Sequence, residues 1–319
     1  MFIQIVGGGS IGLLFAGKLA AVSDGLRCAI VARSREQRDA LAQAGITVQG
    51  GGPAGLAALT PEEAAAQADK PDWLLLAVKQ GDIDAAFAAL IGGMLGAQTR
   101  VLCLQNGIGH LERLSASVPP SRLYAATTTE GARRLSATEV RHTGSGVTLF
   151  GRAAAETPAA DGAPQAEEAE KKLVSALHSA GFDAAVSNPI HVILWNKLLV
   201  SAVINPLTAI LGVTNGQLPQ LPHAEELMRT LHAEASAVMR ACGYEPAPDA
   251  WERLLDVCRR TADNRSSMLR DIEEGRATEI DWIVGELLRE AEARGEAVPA
   301  LRTIYRLVKA LEARPAPRE

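Results

Sequence analysis

The chain has 319 residues, enough for one large domain or two of ordinary size. Hydrophobic residues make up 47% of it and aromatic residues only 4%, so its core must rest on Leu, Val, Ile and Ala. The formal net charge is -5 with no long basic run, which argues against nucleic acid as a partner and leaves any anionic ligand to local groups. Cys28, Cys103, Cys242 and Cys258 form no C-x-x-C pair and have no His cluster beside them, so neither a disulfide framework nor a metal site is expected. A strand-like Phe2-Ile3-Gln4-Ile5-Val6 opens the chain in place of a basic-then-apolar leader, and no apolar run is read as reaching the ~20 residues that span a bilayer. A soluble, cytoplasmic protein without membrane contact is expected.

In chain order, short β-branched runs alternate with helical patterns through the first half. Strands are predicted at Phe2–Val6, Cys28–Val31, Ile46–Gln49, Trp73–Val78, Val101–Leu104, Leu123–Ala126, Val140–Thr143 and Val147–Gly151. The run Trp73–Val78 is apolar on both faces, as in a parallel strand covered by helices on each side. The alternation predicts a doubly wound α/β sheet. Residues 152–168, rich in Ala, Pro and acid, read as an exposed loop before a helix near Glu167–Ala180 and a short strand at Asp183–Val186. Asn188-Pro189 then marks a boundary between a dinucleotide-binding domain, 1–188, and a substrate and catalytic domain, 189–319. Beyond it the strand signals stop, and helices are expected over about 190–213, 223–242, 249–274, 278–294 and 300–313. Ile280, Ile283, Val284, Leu287 and Leu288 form an apolar helical stripe, with Thr278 to cap it and Gly295 to end it. The fold class is therefore α/β, an N-terminal Rossmann-type dinucleotide-binding domain followed by an all-helical C-terminal domain.

Gly7-Gly8-Gly9-Ser10-Ile11-Gly12 fits G-x-G-x-x-G, and it follows an apolar strand and opens an apolar helix, the context its mechanism requires. Gly7 permits the tight turn, Gly9 the approach of a pyrophosphate, and Gly12 the close packing of helix on strand. The helix N-terminus offers free N–H groups and a partial positive charge to the phosphates. An NAD enzyme usually carries an acid at the end of its second strand, for the ribose 2′-hydroxyl. Here stand Ala32-Arg33-Ser34-Arg35, and Arg33 suits a 2′-phosphate, which points to NADP (NADPH). Lys79 and Asn106 follow the carboxyl ends of two further strands, where open α/β sheets bind ligands. Lys79 suits a phosphate or ribose and Asn106 the nicotinamide; a plain surface lysine and a turn-forming Asn-Gly are the alternatives.

The segment Ile190–Gly212 is apolar almost all round, yet carries Lys197 among Leu194, Trp195, Leu198 and Leu199. An ammonium buried without a partner is costly, so this lysine is paired, catalytic or both, unless it snorkels at a domain rim. On a helix Ser201 and Asn205 stand at about 40° and 80° from it, forming one polar stripe. Pro206 is expected to break the helix near Asn205. In reduction of a ketone, Lys197 can stabilise the developing alkoxide and act as general acid, its pKa lowered toward working pH by its surroundings. A second constellation is Asn264-Arg265-Ser266-Ser267-Met268-Leu269 followed by Thr278-Glu279-Ile280-Asp281. With Gly275 ending the first helix, Ser267 is placed to donate to a substrate carboxylate, and Glu279 to pair with Lys197 or contact a cofactor ribose. An ordinary capped helix pair is the alternative.

Over essentially its full length the chain resembles the 2-dehydropantoate 2-reductases, or ketopantoate reductases. The resemblance rests on Gly7–Gly12, Lys79, Asn106-Gly107, Trp195-Asn196-Lys197-Leu198, Ile204-Asn205-Pro206-Leu207-Thr208-Ala209, Asn215-Gly216, Ser266-Ser267-Met268-Leu269 and Thr278-Glu279-Ile280-Asp281. It implies a Rossmann domain and a helical domain with the active site between them, and NADPH-dependent reduction of ketopantoate to (R)-pantoate on the way to pantothenate and coenzyme A. It also implies catalysis by Lys197 and substrate contacts from Asn205, Asn215, Asn264 and Ser267. The cofactor contacts it implies fall on the glycine loop, Arg33, Lys79, Asn106, Ala132 and Glu279. Members of the family often carry asparagine where this chain has Ser201, so the preferred small 2-oxo acid is open to change; another branched 2-oxo acid, or a non-catalytic NADPH-binding sensor, are the competing readings. The apolar helical half also offers a surface that a homodimer would use, although nothing in the pattern compels one.

Overall fold

Apolar runs bounded by Gly, Pro and acid form the strands of the first half, as the pattern predicts. The computed structural model describes residues 1–22, 25–153 and 163–314. They divide into two units, one of Met1–Gln105 with His110–His191 and one of Asn106–Gly109 with Val192–Glu319. The strands are β1 (Phe2–Val6), β2 (Arg27–Val31), β3 (Ile46–Val48), β4 (Pro53–Ala54), β5 (Ala57–Leu59), β6 (Trp73–Leu76), β7 (Arg100–Cys103), β8 (Leu123–Thr128), β9 (Gly131–Arg134), β10 (Glu139–Gly144), β11 (Val147–Arg152) and β12 (Asp183–Val186). Interleaved with them are α1 (Ser10–Ala20), α2 (Arg35–Ala44), α3 (Pro61–Ala66), α4 (Ala85–Met94), α5 (His110–Leu114) and α6 (Ala163–Ser179).

Eight strands make one sheet in the order β12-β11-β8-β7-β6-β1-β2-β5. Every neighbouring pair is parallel except β8 with β11. Side chains alternate across it: Trp73 and Leu75 join the layer of Leu13, Phe15, Leu173 and Leu177, while Leu74 and Leu76 join that of Ala88, Ile91 and Met94. Both faces are thus covered by helices, which is why these strands read as continuous apolar runs. The chain order reverses at β1, with β2 on one side and β6 on the other, the switch point where open α/β sheets bind ligands.

The strands Ile46–Val48 and Glu139–Gly144 leave this sheet. They build a second, four-stranded one in the order β4-β3-β10-β9, which packs on α1. Gly17 marks the closeness of that packing, since a Cβ there would lie 2.8 Å from Ile46 Cγ2. The sequence pattern missed β4, β5 and β9, which are short and poor in β-branched residues. Of the predicted loop 152–168, residues 154–162 lie outside the described residues, and α6 already begins at Ala163. Ala and Glu there are strong helix formers, which outweighs their polarity.

The second unit is helical among its described residues: α7 (Ile190–Leu211), whose first two residues belong to the first unit, then α8 (Ala224–Ala241), α9 (Ala250–Arg260), α10 (Ser267–Glu273), α11 (Ile280–Arg294) and α12 (Pro299–Glu312). Three expectations are corrected. Pro206 does not break α7, which continues to Leu211; proline removes one N–H, leaving the Ala202 carbonyl without its helical donor, and the buried flanks hold the helix together. The 22-residue α7 is also long and apolar enough to cross a membrane, contrary to the sequence reading, but 61% of its apolar window is buried inside the fold, as in a core helix. The predicted helix 249–274 is two, α9 and α10, parted at 261–266. Gly295 ends α11 in the left-handed region at φ 75°, and Thr278 Oγ1 accepts from the Ile280 N–H at 3.1 Å.

Trp73, Tyr124 and Phe150 meet edge-on in the sheet core, and the Tyr124 hydroxyl donates to buried Glu170 Oε1 at 3.0 Å. Tyr124→Phe keeps the ring and removes the donor. It is predicted to lower stability by about 1–3 kcal/mol, read from the urea midpoint, because the Glu170 oxygen is left short of a partner.

Candidate active site

In the first unit, β1 delivers the chain into the glycine loop at the switch point. Gly7 takes φ 117°, and a Cβ on it would lie 2.9 Å from the Ala77 carbonyl. A Cβ on Gly12 would lie 1.8 Å from the Gly7 oxygen, so only glycine lets α1 start this close to β1. Gly9 differs: a Cβ there would meet nothing within 4 Å. Gly9, Ser10 and Ile11 are partly open, and Gly9 caps a helix with no acid in its first turn. A backbone cradle open on the N–H side suits the diphosphate of a dinucleotide.

Beside the loop a cavity of about 610 Å3 is lined by Gly7, Val31, Arg33, Asp82, Phe87 and Leu90, among others. Its apolar walls and charged rim suit an adenosine. Arg33 stands on that rim with its side chain 90% exposed, and its Nη1 lies 3.2 Å from Asp82 Oδ1. So exposed a pair is weak and leaves the guanidinium available to a phosphate. Lys79 is exposed three residues beyond the end of β6 and is not among the residues that line this cavity. Ala132 lies in β9 opposite His142, half-buried against the core.

In the second unit, Lys197, Ser201 and Asn205 are half-buried, while Leu198, Leu199, Ala202, Val203, Ile204 and Leu207 between and beyond them are buried. The predicted stripe is therefore the reachable side of an otherwise enclosed stretch of α7. Lys197 Nζ donates to Asn106 Oδ1 at 2.9 Å, and Asn106 Nδ2 donates to Glu279 Oε2 at 3.2 Å. The exposed Asn106 carboxamide thus links ammonium to carboxylate. Burial pushes the Lys197 pKa down to about 8, against the opposing pull of the Glu279 carboxylate.

Asn215 and Asn264 are brought together, the Asn215 N–H donating to the Asn264 carbonyl at 2.9 Å and Asn215 Nδ2 to Thr261 Oγ1 at 2.8 Å. Ser267 is exposed at the start of α10, while buried Ser266 caps that helix by accepting from the Leu269 N–H. Thr208 Oγ1 lies 2.8 Å from Ser266 Oγ, so the I-N-P-L-T-A and S-S-M-L motifs meet at a buried hydroxyl pair. Three residues to which the sequence assigns no role also hold the site's surroundings. Gln105 Nε2 donates to the Leu76 and Val78 carbonyls, tying two strand ends together. Asn196 Oδ1 accepts from the Ala247 N–H, and Gln37 reaches Gly8. Gln105 and Asn196 are carboxamides beside or inside an apolar stretch, whereas Gln37 lies in the charged run Arg35-Glu36-Gln37-Arg38-Asp39 and carries no such signal.

Two family models match the chain, ketopantoate reductase PanE/ApbA over residues 3–155 and ketopantoate reductase PanE/ApbA C terminal over 190–312. The chain is 36% identical over 314 residues to the 2-dehydropantoate 2-reductase of Bacillus subtilis (strain 168), covering 98% of each. The solved probable 2-dehydropantoate 2-reductase panE from Bacillus subtilis is 33% identical, with a TM-score of 0.80 and coverage of 98% of this chain and 100% of that one. The ternary structure of D-mandelate dehydrogenase with NADH and anilino(oxo)acetate is 27% identical, with a TM-score of 0.84 and 98% coverage of each chain.

An ammonium that titrates near pH 8 donates a proton below that value and loses the ability above it. Ketone reduction at saturating substrate is therefore predicted to fall as pH rises through about 8, and the reverse oxidation to rise. Lys197→Ala is predicted to lower reductive turnover by at least ~10²-fold and to abolish that pH limb, in steady-state rates across pH 6–10.

Proposed function

We propose, for a chain that belongs to the ketopantoate reductase family, that it reduces ketopantoate to (R)-pantoate with NADPH, a step toward pantothenate and coenzyme A. The observation that carries this reading is the Lys197–Asn106–Glu279 chain of hydrogen bonds on the reachable stripe of α7. NADPH, when bound, supplies hydride to the carbonyl carbon. Lys197 holds the ketone oxygen, stabilises the charge that develops there and gives it a proton. Glu279 orients the Asn106 carboxamide, whose oxygen then fixes the ammonium. Ser201 and Asn205 line the same helix face for the substrate's polar groups, with Asn215, Asn264 and Ser267 as further donors. Gly7–Gly12 hold the diphosphate, and Arg33 the 2′-phosphate. Lys79, Asn106, Ala132 and Glu279 are assigned to the remainder of the cofactor.

One observation favours a second reading, a different branched 2-oxo acid. Ser201 presents one short hydroxyl at the middle of the stripe, and pocket differences of that size change selectivity by only ~1–3 kcal/mol.

A panel of ketopantoate, 2-oxoisovalerate, 2-oxoisocaproate and pyruvate, followed by NADPH oxidation, tests both readings. The highest kcat/KM is expected with ketopantoate. A clear preference for another acid establishes the second reading, and no turnover with any overturns both. Arg33→Ala is predicted to erode the NADPH over NADH preference by roughly ten-fold or more, the scale of a lost charged hydrogen bond. An unchanged ratio would assign the phosphate to another residue.

A further inference from the structure

The glycine loop is held from outside its own motif. The carbonyl of Gly8 accepts two side-chain donors, Gln37 Nε2 from α2 at 2.9 Å and Arg134 Nη1 from β9 at 3.3 Å. The Arg134 main-chain N–H also donates to Ser10 Oγ at 3.1 Å. Gln37 Nε2 lies 3.0 Å from the Ala137 carbonyl as well, which ties it to the segment after β9. Gln37 fills the space beside Gly8 so fully that a Cβ on Gly8 would lie 2.4 Å from its Oε1. The second sheet, through Arg134, and α2, through Gln37, therefore grip the loop at the carbonyl of a buried glycine.

A peptide unit is planar and trans, so its C=O and N–H point in opposite directions. The carbonyl of Gly8 and the N–H of Gly9 belong to the same unit. Fixing the carbonyl with two donors aims the Gly9 N–H the other way, from a partly open residue. Among the described residues no acceptor takes that N–H. The guanidinium adds to the aim: a cationic donor on the carbonyl polarises the peptide and strengthens its N–H as a donor to an anion.

We propose that Gln37 and Arg134 are positioning residues for the cofactor, a two-donor clip on the Gly8 carbonyl that aims the Gly9 N–H at the diphosphate. The clip acts on the part of the cofactor common to NADPH and NADH, and its effect is independent of the 2′-phosphate that Arg33 reads. The inference rests on the reading of the glycine loop as the diphosphate site and is independent of which acid is reduced.

The test is the affinity of the purified full chain for NADPH and NADH by fluorescence titration, with adenosine 2′-monophosphate, which lacks the diphosphate, titrated by NMR. Arg134→Ala and Gln37→Leu are each expected to weaken NADPH and NADH by the same factor, roughly ten-fold, while leaving adenosine 2′-monophosphate unchanged. Arg134→Lys, which keeps a cationic donor, is expected to recover most of the loss. Gln37→Met serves as a second apolar replacement should the leucine variant fold poorly. Loss with NADPH alone would mean that Arg134 contacts the 2′-phosphate, and overturns the clip. Loss in Arg134→Ala with none in the Gln37 variants would mean direct attraction to the diphosphate, and also overturns it. Equal loss for adenosine 2′-monophosphate would reduce the role to general stability, and unchanged affinity in every variant would remove it. A wild-type chain that binds neither dinucleotide would instead overturn the diphosphate reading itself.

Discussion

A charged ammonium on a helix built mainly of leucine, valine, isoleucine and alanine is the constraint around which the second unit is arranged. Desolvation drives the charged form toward neutrality, and a lysine left alone there would simply lose its proton. Here the loss is partial. Asn106 Oδ1 accepts from the ammonium, and the Glu279 carboxylate accepts from the other end of that amide. Burial still wins, which leaves the group poised at about 8 rather than at the usual lysine value. A general acid is most useful when its pKa lies near the pH at which it works. With Lys197 as the proposed general acid, the apolar helix is part of the chemistry, since a polar helix would hold the lysine too firmly protonated.

The glycine loop solves a different problem, presenting charge without any charged side chain in the motif. Its donors are backbone N–H groups whose helical acceptors do not exist, and their usefulness depends on direction. Direction comes from close packing at Gly7 and Gly12 and from the second sheet that rests on α1. That sheet has no place in the simple alternation of strand and helix. It occurs because the chain after β8 turns back as the β9–β10 hairpin, and β10 pairs with the short β3.

The parts legible in the sequence were those in which one residue type decides the outcome. Parallel strands covered on both faces have to be apolar throughout, so Trp73–Leu76 and Phe2–Val6 announced themselves. A lysine inside an apolar helix violates the general pattern, so Lys197 was visible, and helical spacing carried the reading to Ser201 and Asn205. Residues that act through partners far away in the chain were harder. Asn106 and Glu279 were both singled out, but their hydrogen bond spans 173 positions and no local period encodes it. Gln37, Gln105 and Arg134 were invisible for the same reason: a glutamine or arginine on the surface of an element reads as solvated until the fold brings a carbonyl to it. The expected break at Pro206 failed because packing on α7 supplies more stability than one missing hydrogen bond removes.

Several of these partners share one device. A carboxamide or a peptide has a donor end and an acceptor end in fixed relation, so holding one end aims the other. Glu279 takes the nitrogen of Asn106 and turns its oxygen to Lys197. Leu76 and Val78 take the nitrogen of Gln105 at the mouth of the sheet. Gln37 and Arg134 take the oxygen of the Gly8 peptide and turn the Gly9 N–H outward. A group held in this way has already lost its freedom before any ligand arrives, so little further ordering is needed on binding. On the proposed assignment, proton delivery and phosphate binding are each set by neutral, two-ended groups, with Lys197 and Arg33 supplying the charge that those groups direct or leave free to respond.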